Sequence, residues 1–250
     1  MVGITIALLV VLPFVEARGI SRERALEIFF PIVIAGLIGG RLYYVIQSNL
    51  GYYLSHPLKI IATWEGGMAF FGAIFGASAM IVYLAWRRKL PLWIILDAGA
   101  LFAPLGQAFG RIGNIINGDI VGTVSNCPWC TEYVNPNTFA RQGIAYQPAA
   151  AYELLISLGI FALLYSLRFR MPRSGLLFAL YLMLYAISQF AIFFVRTEPF
   201  TALGLKQAQL TAIAVFLVGL GLFTYVWRNG PIIAEPDTEP NRAEAQTAPS

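Results

Sequence analysis

The apolar residues of this chain come in runs long enough to cross a bilayer, and that rules out folding around one water-soluble core. A helical crossing takes about 20 mostly apolar residues, and such runs stand at Ile28–Ile46, Ile60–Trp86, Leu92–Phe109, Pro148–Leu167, Leu176–Val195 and Gln209–Trp227. A shorter run, Met1–Val15, gives a seventh. The expected fold class is therefore all-α: a polytopic integral membrane protein of about seven transmembrane helices. With 58% hydrophobic and only 12% charged residues, the composition leaves no room for a large soluble domain. A cleaved signal peptide is the competing reading of the first run. No basic residue precedes that run and no small-residue cleavage motif follows it.

Short loops rich in Lys and Arg stay cytoplasmic. Arg18, Arg22 and Arg24 follow the first run, Arg87, Arg88 and Lys89 the third, and Arg168, Arg170 and Arg173 the fifth. The alternate loops carry only Lys59, then Arg141, then Arg196 with Lys206. The expected topology has the N-terminus outside and the C-terminus cytoplasmic. The net charge of +4 is then a topological bias together with attraction to anionic headgroups of the lipid bilayer. Nucleic acid is excluded as a partner, because it needs a basic face that is absent.

Two units are expected: a membrane domain over residues 1–228 and a polar, disordered cytoplasmic tail over 229–250, which has too little apolar surface to order itself. No internal repeat supports transporter-like halves. Cys127 and Cys130 fall in an outward loop, where a local disulfide is the plain reading. Two thiols without two further ligands cannot form a structural zinc site, and a lone C-x-x-C without a βαβ pattern is weak evidence of redox chemistry. No metal and no cofactor are expected.

One polar island interrupts the apolar sequence. From Gly110 to Gly122 the chain carries Arg111, Asn114, Asn117, Asp119 and four glycines. Such groups at membrane depth are costly unless they face a protein interior or a wet cavity, which makes the cluster a site candidate by default. Each residue also has a structural reading. Arg111 could snorkel from a span end, Asn114 and Asn117 could bond between helices, and Asp119 could end a helix. Arg41 could pack helices or bind a headgroup, and Glu65 and Glu153 could pair with arginines. Tyr43, Tyr44 and Trp64 fit an interfacial aromatic belt.

The island belongs to a wider pattern. Arg41-Leu-Tyr-Tyr44 ends the second run, Trp64-Glu-Gly-Gly-Met-Ala-Phe-Phe-Gly72 opens the third, and Leu96-Asp97 leads through Gln107-Ala-Phe-Gly-Arg-Ile-Gly-Asn114 to Asn117-Gly-Asp119. Gln147-Pro-Ala-Ala-Ala-Tyr-Glu153 opens the fifth run and Gly204-Leu-Lys-Gln-Ala-Gln209 the seventh. Together these segments resemble the prolipoprotein diacylglyceryl transferases of bacteria, over nearly the whole chain from about Ala17 to Ala208.

The resemblance implies a multi-pass enzyme of the bacterial plasma membrane. It would move the diacylglyceryl group of phosphatidylglycerol to the lipobox cysteine thiol of a prolipoprotein signal peptide, releasing glycerol phosphate. It implies catalytic roles for Arg111, Asp119 and Arg196. Substrate binding would fall to Arg111, Asn114, Asn117, Gly113, Gly122, Arg41, Glu65, Tyr152 and Glu153. The chemistry suits those residue types. A guanidinium forks onto two phosphate oxygens, cations near sulfur favour the thiolate, and cations near the leaving phosphate stabilise developing charge. Asn114 and Asn117, three apart, share a helix face, while Gly113 and Gly118 let backbone approach a ligand closely.

Some positions depart from the family pattern. Its histidine after Gly-Gly-Met-x-Phe is Phe71 here, its Arg and Glu in the sixth run are Gln189 and Phe193, and its His-Pro is Gln147-Pro148. Its tyrosine of the first run falls at Val2 or is missing with a lost N-terminus, and its acidic signature residue is the shorter Asp119. A general acid or base contributes typically about 10²–10⁴-fold. The only histidine of this chain, His56 beside Pro57, reads as surface structure. Asp119 or Glu153 could take the thiol proton instead. Two functional readings stay open: an active transferase, and a weak or inactive relative that binds phospholipid or signal peptide without transfer.

Overall fold

The computed structural model describes residues 2–233 except Phe139 and Leu203. Among them, helix dominates: α1 (Val2–Ala17), α2 (Arg22–Ser55), α3 (Pro57–Ile61), α4 (Phe70–Arg88), α5 (Leu92–Asn117), α6 (Ala149–Leu167), α7 (Leu176–Ile192) and α8 (Gln207–Asn229). Two small antiparallel ribbons sit in the loops, β1 (Thr131–Glu132) with β2 (Ala145–Tyr146) and β3 (Phe200–Ala202) with β4 (Leu205–Lys206). Helices α2, α4, α5, α6 and α8 are long and apolar enough to cross a membrane, whereas α1 and α7, at 16 and 17 residues, are shorter. At 1.5 Å per residue those two span only about 24–26 Å.

The observed boundaries differ from the apolar runs in three informative places. The third run was expected to be helical from Ile60, but the helix starts at Phe70. Gly66 and Gly67 adopt left-handed φ values of 88° and 81°, which interrupt helical geometry. The fourth run was expected to end at Phe109, yet α5 continues to Asn117, where Gly118 at φ 60° caps it. The first part of the polar island, residues 110–117, therefore forms the last two turns of a long helix, and Asp119 and Gly122 follow its cap. The sixth run ends at Ile192 rather than Val195, because Phe194, Val195 and Arg196 take up turn hydrogen bonds to Ala191 and Ile192.

Helix α5 is central and packs against α1, α6 and α7, while α2 pairs with α4 and α7 with α8. The α2–α4 contact is made by small residues: Cβ atoms on Gly39, Gly72 or Gly76 would overlap the facing backbone. That is how helix backbones approach closely where lipid supplies no hydrophobic drive. A buried cluster of Leu12, Phe14, Ile95, Leu101, Leu164 and Leu177 joins α1, α5, α6 and α7. Large apolar side chains such as Phe30, Ile34, Phe75, Leu155 and Leu217 point outward, as lipid-facing positions do. Asp97, buried in α5, accepts backbone N–H bonds from Gly175 (2.6 Å) and Phe178 (2.9 Å) and so fixes the start of α7. After α8, residues 230–233 fold back on 172–174 through Ser174–Pro231 and Ile233–Pro172 backbone bonds. The rest of the expected tail, 234–250, lies outside the described residues.

Candidate active site

The last turns of α5, the first turn of α6 and the turn after α7 meet around one carboxylate. Glu153, in the first turns of α6, is 3% exposed and lies 2.5 Å from Arg111 Nη2 and 3.6 Å from Arg196 Nη1. The two guanidinium groups keep 22% and 20% of their side-chain surface open. A buried charge needs a partner, and here one anion is shared by two cations. Arg196 also reaches Glu198 at 2.8 Å and lies 4.6 Å over the Phe193 ring. On the other flank, Arg111 Nη1 donates to Asn114 Oδ1 and Asn114 Nδ2 donates to Asp119 Oδ1, both at 2.9 Å. The result is a continuous polar chain from Asp119 through Asn114, Arg111 and Glu153 to Arg196 and Glu198.

Backbone knitting holds these parts together. Gly122 forms a bridge with Arg196 and donates to Gln147 O at 2.9 Å, Thr123 donates to Val195 O at 2.7 Å, and Thr197 Oγ1 donates to Gly122 O at 2.9 Å. A side chain at Gly122 would run into Gln147. Tyr152 Oη donates to Gln147 Oε1 and accepts from Trp129 Nε1. Trp129 sits inside the four-residue loop closed by the Cys127–Cys130 disulfide, the bridge expected from the sequence. Outside this knot, Tyr152, Leu155, Ile156, Ala191, Ile192 and Val195 line an open apolar groove of about 370 Å³ between α6 and α7.

The sequence-derived residues divide into two groups. Arg111, Asn114, Asp119, Gly122, Tyr152, Glu153 and Arg196 are brought together as described. Gly113 is exposed with open space where a Cβ would stand, so something could approach its backbone, and Asn117 is exposed on the final turn. Gly118 needs no ligand to explain it, since its left-handed φ and its packing under Tyr133 and Thr138 account for it. Arg41 and Glu65 form a separate cluster. Arg41 Nε donates to Ile60 O, Nη1 to Gly66 O and Gly67 O, and Nη2 to Lys59 O and Ala62 O, at 2.6 to 3.2 Å. A guanidinium has five N–H donors, and all five face loop carbonyls. Arg41 thus anchors the α2–α4 loop, the packing role being the one of its two expected roles that these contacts display. Glu65 pairs with Lys59 at 2.6 Å rather than with an arginine.

Residues with no sequence prediction also support the site. Lys206 is buried and its Nζ donates to Phe193 O and Arg196 O, both at 2.5 Å. Gln209 closes the same turn through Lys206 N and Phe190 O. A lone lysine at the head of an apolar run was the available signal. At the departing positions, Phe71 stands in the first turn of α4 against Phe70. His56 stacks on Tyr52 in an exposed loop.

The model of the prolipoprotein diacylglyceryl transferase family matches residues 1–225. The chain belongs to that family. Proteins bearing the name phosphatidylglycerol–prolipoprotein diacylglyceryl transferase are similar over most of their length. One from Geobacter sulfurreducens is 34% identical over 215 residues, covering 84% of this chain and 80% of its own. One from Bordetella avium is 36% identical over 208 residues, covering 81% and 77%. One from Burkholderia ambifaria is 32% identical over 253 residues, covering 89% and 85%. Membership makes the chain an enzyme of the diacylglyceryl transferase class and gives the paired arginines a chemical context.

Proposed function

We propose that the chain transfers the diacylglyceryl group of phosphatidylglycerol to the lipobox cysteine of prolipoproteins. The observation that carries this is the pairing of two partly open guanidinium groups, Arg111 and Arg196, over the buried Glu153. Glu153 fixes their positions while each keeps surface free for an anion. One anionic headgroup can be gripped by both, since arginine forks suit phosphate oxygens. The apolar groove between α6 and α7, lined by Tyr152 and Val195, the chain neighbours of Glu153 and Arg196, offers an acyl chain a path from the lipid.

In this reading the cysteine sulfur, as thiolate, attacks the glycerol carbon that bears the phosphate. A carbon–sulfur bond forms, the carbon–oxygen bond to phosphate breaks, and glycerol phosphate leaves with the electron pair. Arg111 and Arg196 offset the charge developing on that oxygen. Asp119, exposed and oriented by Asn114, is better placed to take the thiol proton than Glu153, whose carboxylate is enclosed by two cations. Seven crossings with the N-terminus outside bring this end of α5 to the outer leaflet of the bacterial plasma membrane, where an exported signal peptide arrives.

A second reading, binding without transfer, is favoured by one specific observation: Phe71, Gln189 and Phe193 replace ionisable residues of the family pattern. Expression in bacteria depleted of their own transferase separates the two. Lipidation of a lipobox protein, followed by mass shift, supports transfer; an unmodified thiol with well-folded, membrane-inserted protein leaves only the binding reading.

A further inference from the structure

A second hollow, mostly apolar with a polar edge, lies at the end of the helix bundle opposite Arg111, and the reaction above makes no use of it. Its volume is about 330 Å³. Arg18, just after α1, and Ser174, just before α7, supply polar wall; Trp93 and Ile94 of α5 and Ile232 and Ile233 after α8 supply apolar wall. From Leu92 to Arg111 the axis of α5 rises about 29 Å, so the hollow is a separate place and not an extension of the candidate active site.

Arg18 is the unusual member. Its Nη2 donates to Arg168 O at 2.8 Å, and its guanidinium lies 5.5 Å and 5.8 Å from the Phe14 and Phe169 rings. Its Nε is buried and has no hydrogen-bond partner. The neighbouring carboxylate, Asp97, already accepts from Gly175 N and Phe178 N. Burial pulls the Arg18 guanidinium below its ordinary value, and Asp97 opposes this only in part. Burying a charged donor is expensive, and an anion held in the hollow that Arg18 lines would offset the charge of the half-buried guanidinium. The walls are already formed, because the Ser174–Pro231 and Ile233–Pro172 bonds and the Arg173–Gly230 contact hold the segment after α8 in place. Arg168 and Arg173 add positive charge nearby.

We propose that this hollow binds the phosphate headgroup of an anionic phospholipid, with Arg18 gripping the phosphate. Basic pockets between transmembrane helices recognise lipid headgroups in this way. A lipid fits better than a free phosphate ion, because Trp93, Ile94, Ile232 and Ile233 are matched to glycerol and acyl carbons. Arg111 and Glu153 play no part, so the inference stands or falls apart from the transfer reaction.

Native mass spectrometry of the full chain in detergent tests it, with dioleoyl phosphatidic acid as probe and dioleoyl phosphatidylcholine as neutral control. Measured in an Arg111→Gln background, which removes the anion grip at the other end of α5, the expected result is one retained phosphatidic acid, weakened about tenfold or more when Arg18→Gln is added, the loss of a charge-assisted bond. Ala17→Phe keeps Arg18 and fills the hollow that Ala17 lines. It should weaken retention equally, and it decides the matter if Arg18→Gln is poorly folded. Unchanged retention in Ala17→Phe overturns the proposal. So does full competition by inorganic phosphate, which would make the site one for free anions. Binding seen only in a chain ending at Ile233 also overturns it, since residues beyond 233 would then be the occupant.

Discussion

Replacing Glu153 by Gln keeps the side chain's shape and removes the one carboxylate shared by Arg111 and Arg196. At 2.5 Å and 3.6 Å, Coulomb's law with an effective dielectric of about 20 gives roughly 6.6 and 4.6 kcal/mol of attraction. Desolvation of the three charges cancels much of that. Breaking a buried pair from one side costs about 3–5 kcal/mol in practice. For a chain of 250 residues each kcal/mol moves the melting midpoint by about 2–4 °C, so a fall of roughly 6–20 °C is expected. Glu198→Gln is the control: Glu198 also contacts Arg196, at 2.8 Å, but is 37% exposed, and such pairs contribute only about 0–1 kcal/mol. The assay is thermal unfolding in detergent followed by tryptophan fluorescence, with transfer measured on the same samples. A guanidinium misplaced by about 1 Å costs on the order of 100-fold in rate, so Glu153→Gln should lose transfer by at least that factor while Glu198→Gln loses little. A midpoint shift for Glu153→Gln no larger than for Glu198→Gln would refute the reasoning, because the buried Glu153 would then not be holding the two cations.

Three further outcomes are expected. Arg41→Lys leaves at least two of five loop carbonyls without their charged donor; at about 1.5–3 kcal/mol each, the loss is about 3–6 kcal/mol, and limited proteolysis should open residues 57–69 first. Tyr133, whose hydroxyl titrates above its ordinary value because of burial and the nearby Asp119, keeps its proton in the folded chain. Its contribution to stability is therefore complete below about pH 10 and fades as pH rises further, whereas Tyr133→Phe should show a flatter alkaline melt. Phe71→His should raise the transfer rate if proton transfer limits it, as read from initial rates; an unchanged rate assigns that proton to another group such as Asp119.

The membrane class and the polar island were legible because both are local signals: apolar runs of crossing length, and ionised and amide groups set within them. That Glu153 meets Arg111 and Arg196 was legible only as a possibility, since the three lie on different elements 42 and 43 residues apart along the chain. The anchoring role of Arg41 was not legible, because its partners are backbone carbonyls, which every residue possesses and no sequence pattern marks. The start of α4 is illegible for a related reason: apolar residues fill the stretch from Ile60, but two consecutive left-handed glycines decide the backbone there. Lys206 stands out in the sequence only as a lone lysine at the head of an apolar run, and the fold shows that it ties Phe193 and Arg196 together.

The central claim is that Arg111 grips the phosphate of the lipid donor. Purified protein in detergent, given phosphatidylglycerol and a lipobox peptide, should release glycerol phosphate in step with the gain in peptide mass. Arg111→Ala should lose both signals by about two orders of magnitude or more, as expected when a group that stabilises leaving-group charge is removed, with its melting midpoint monitored alongside. Equal transfer by a folded Arg111→Ala protein would contradict the account.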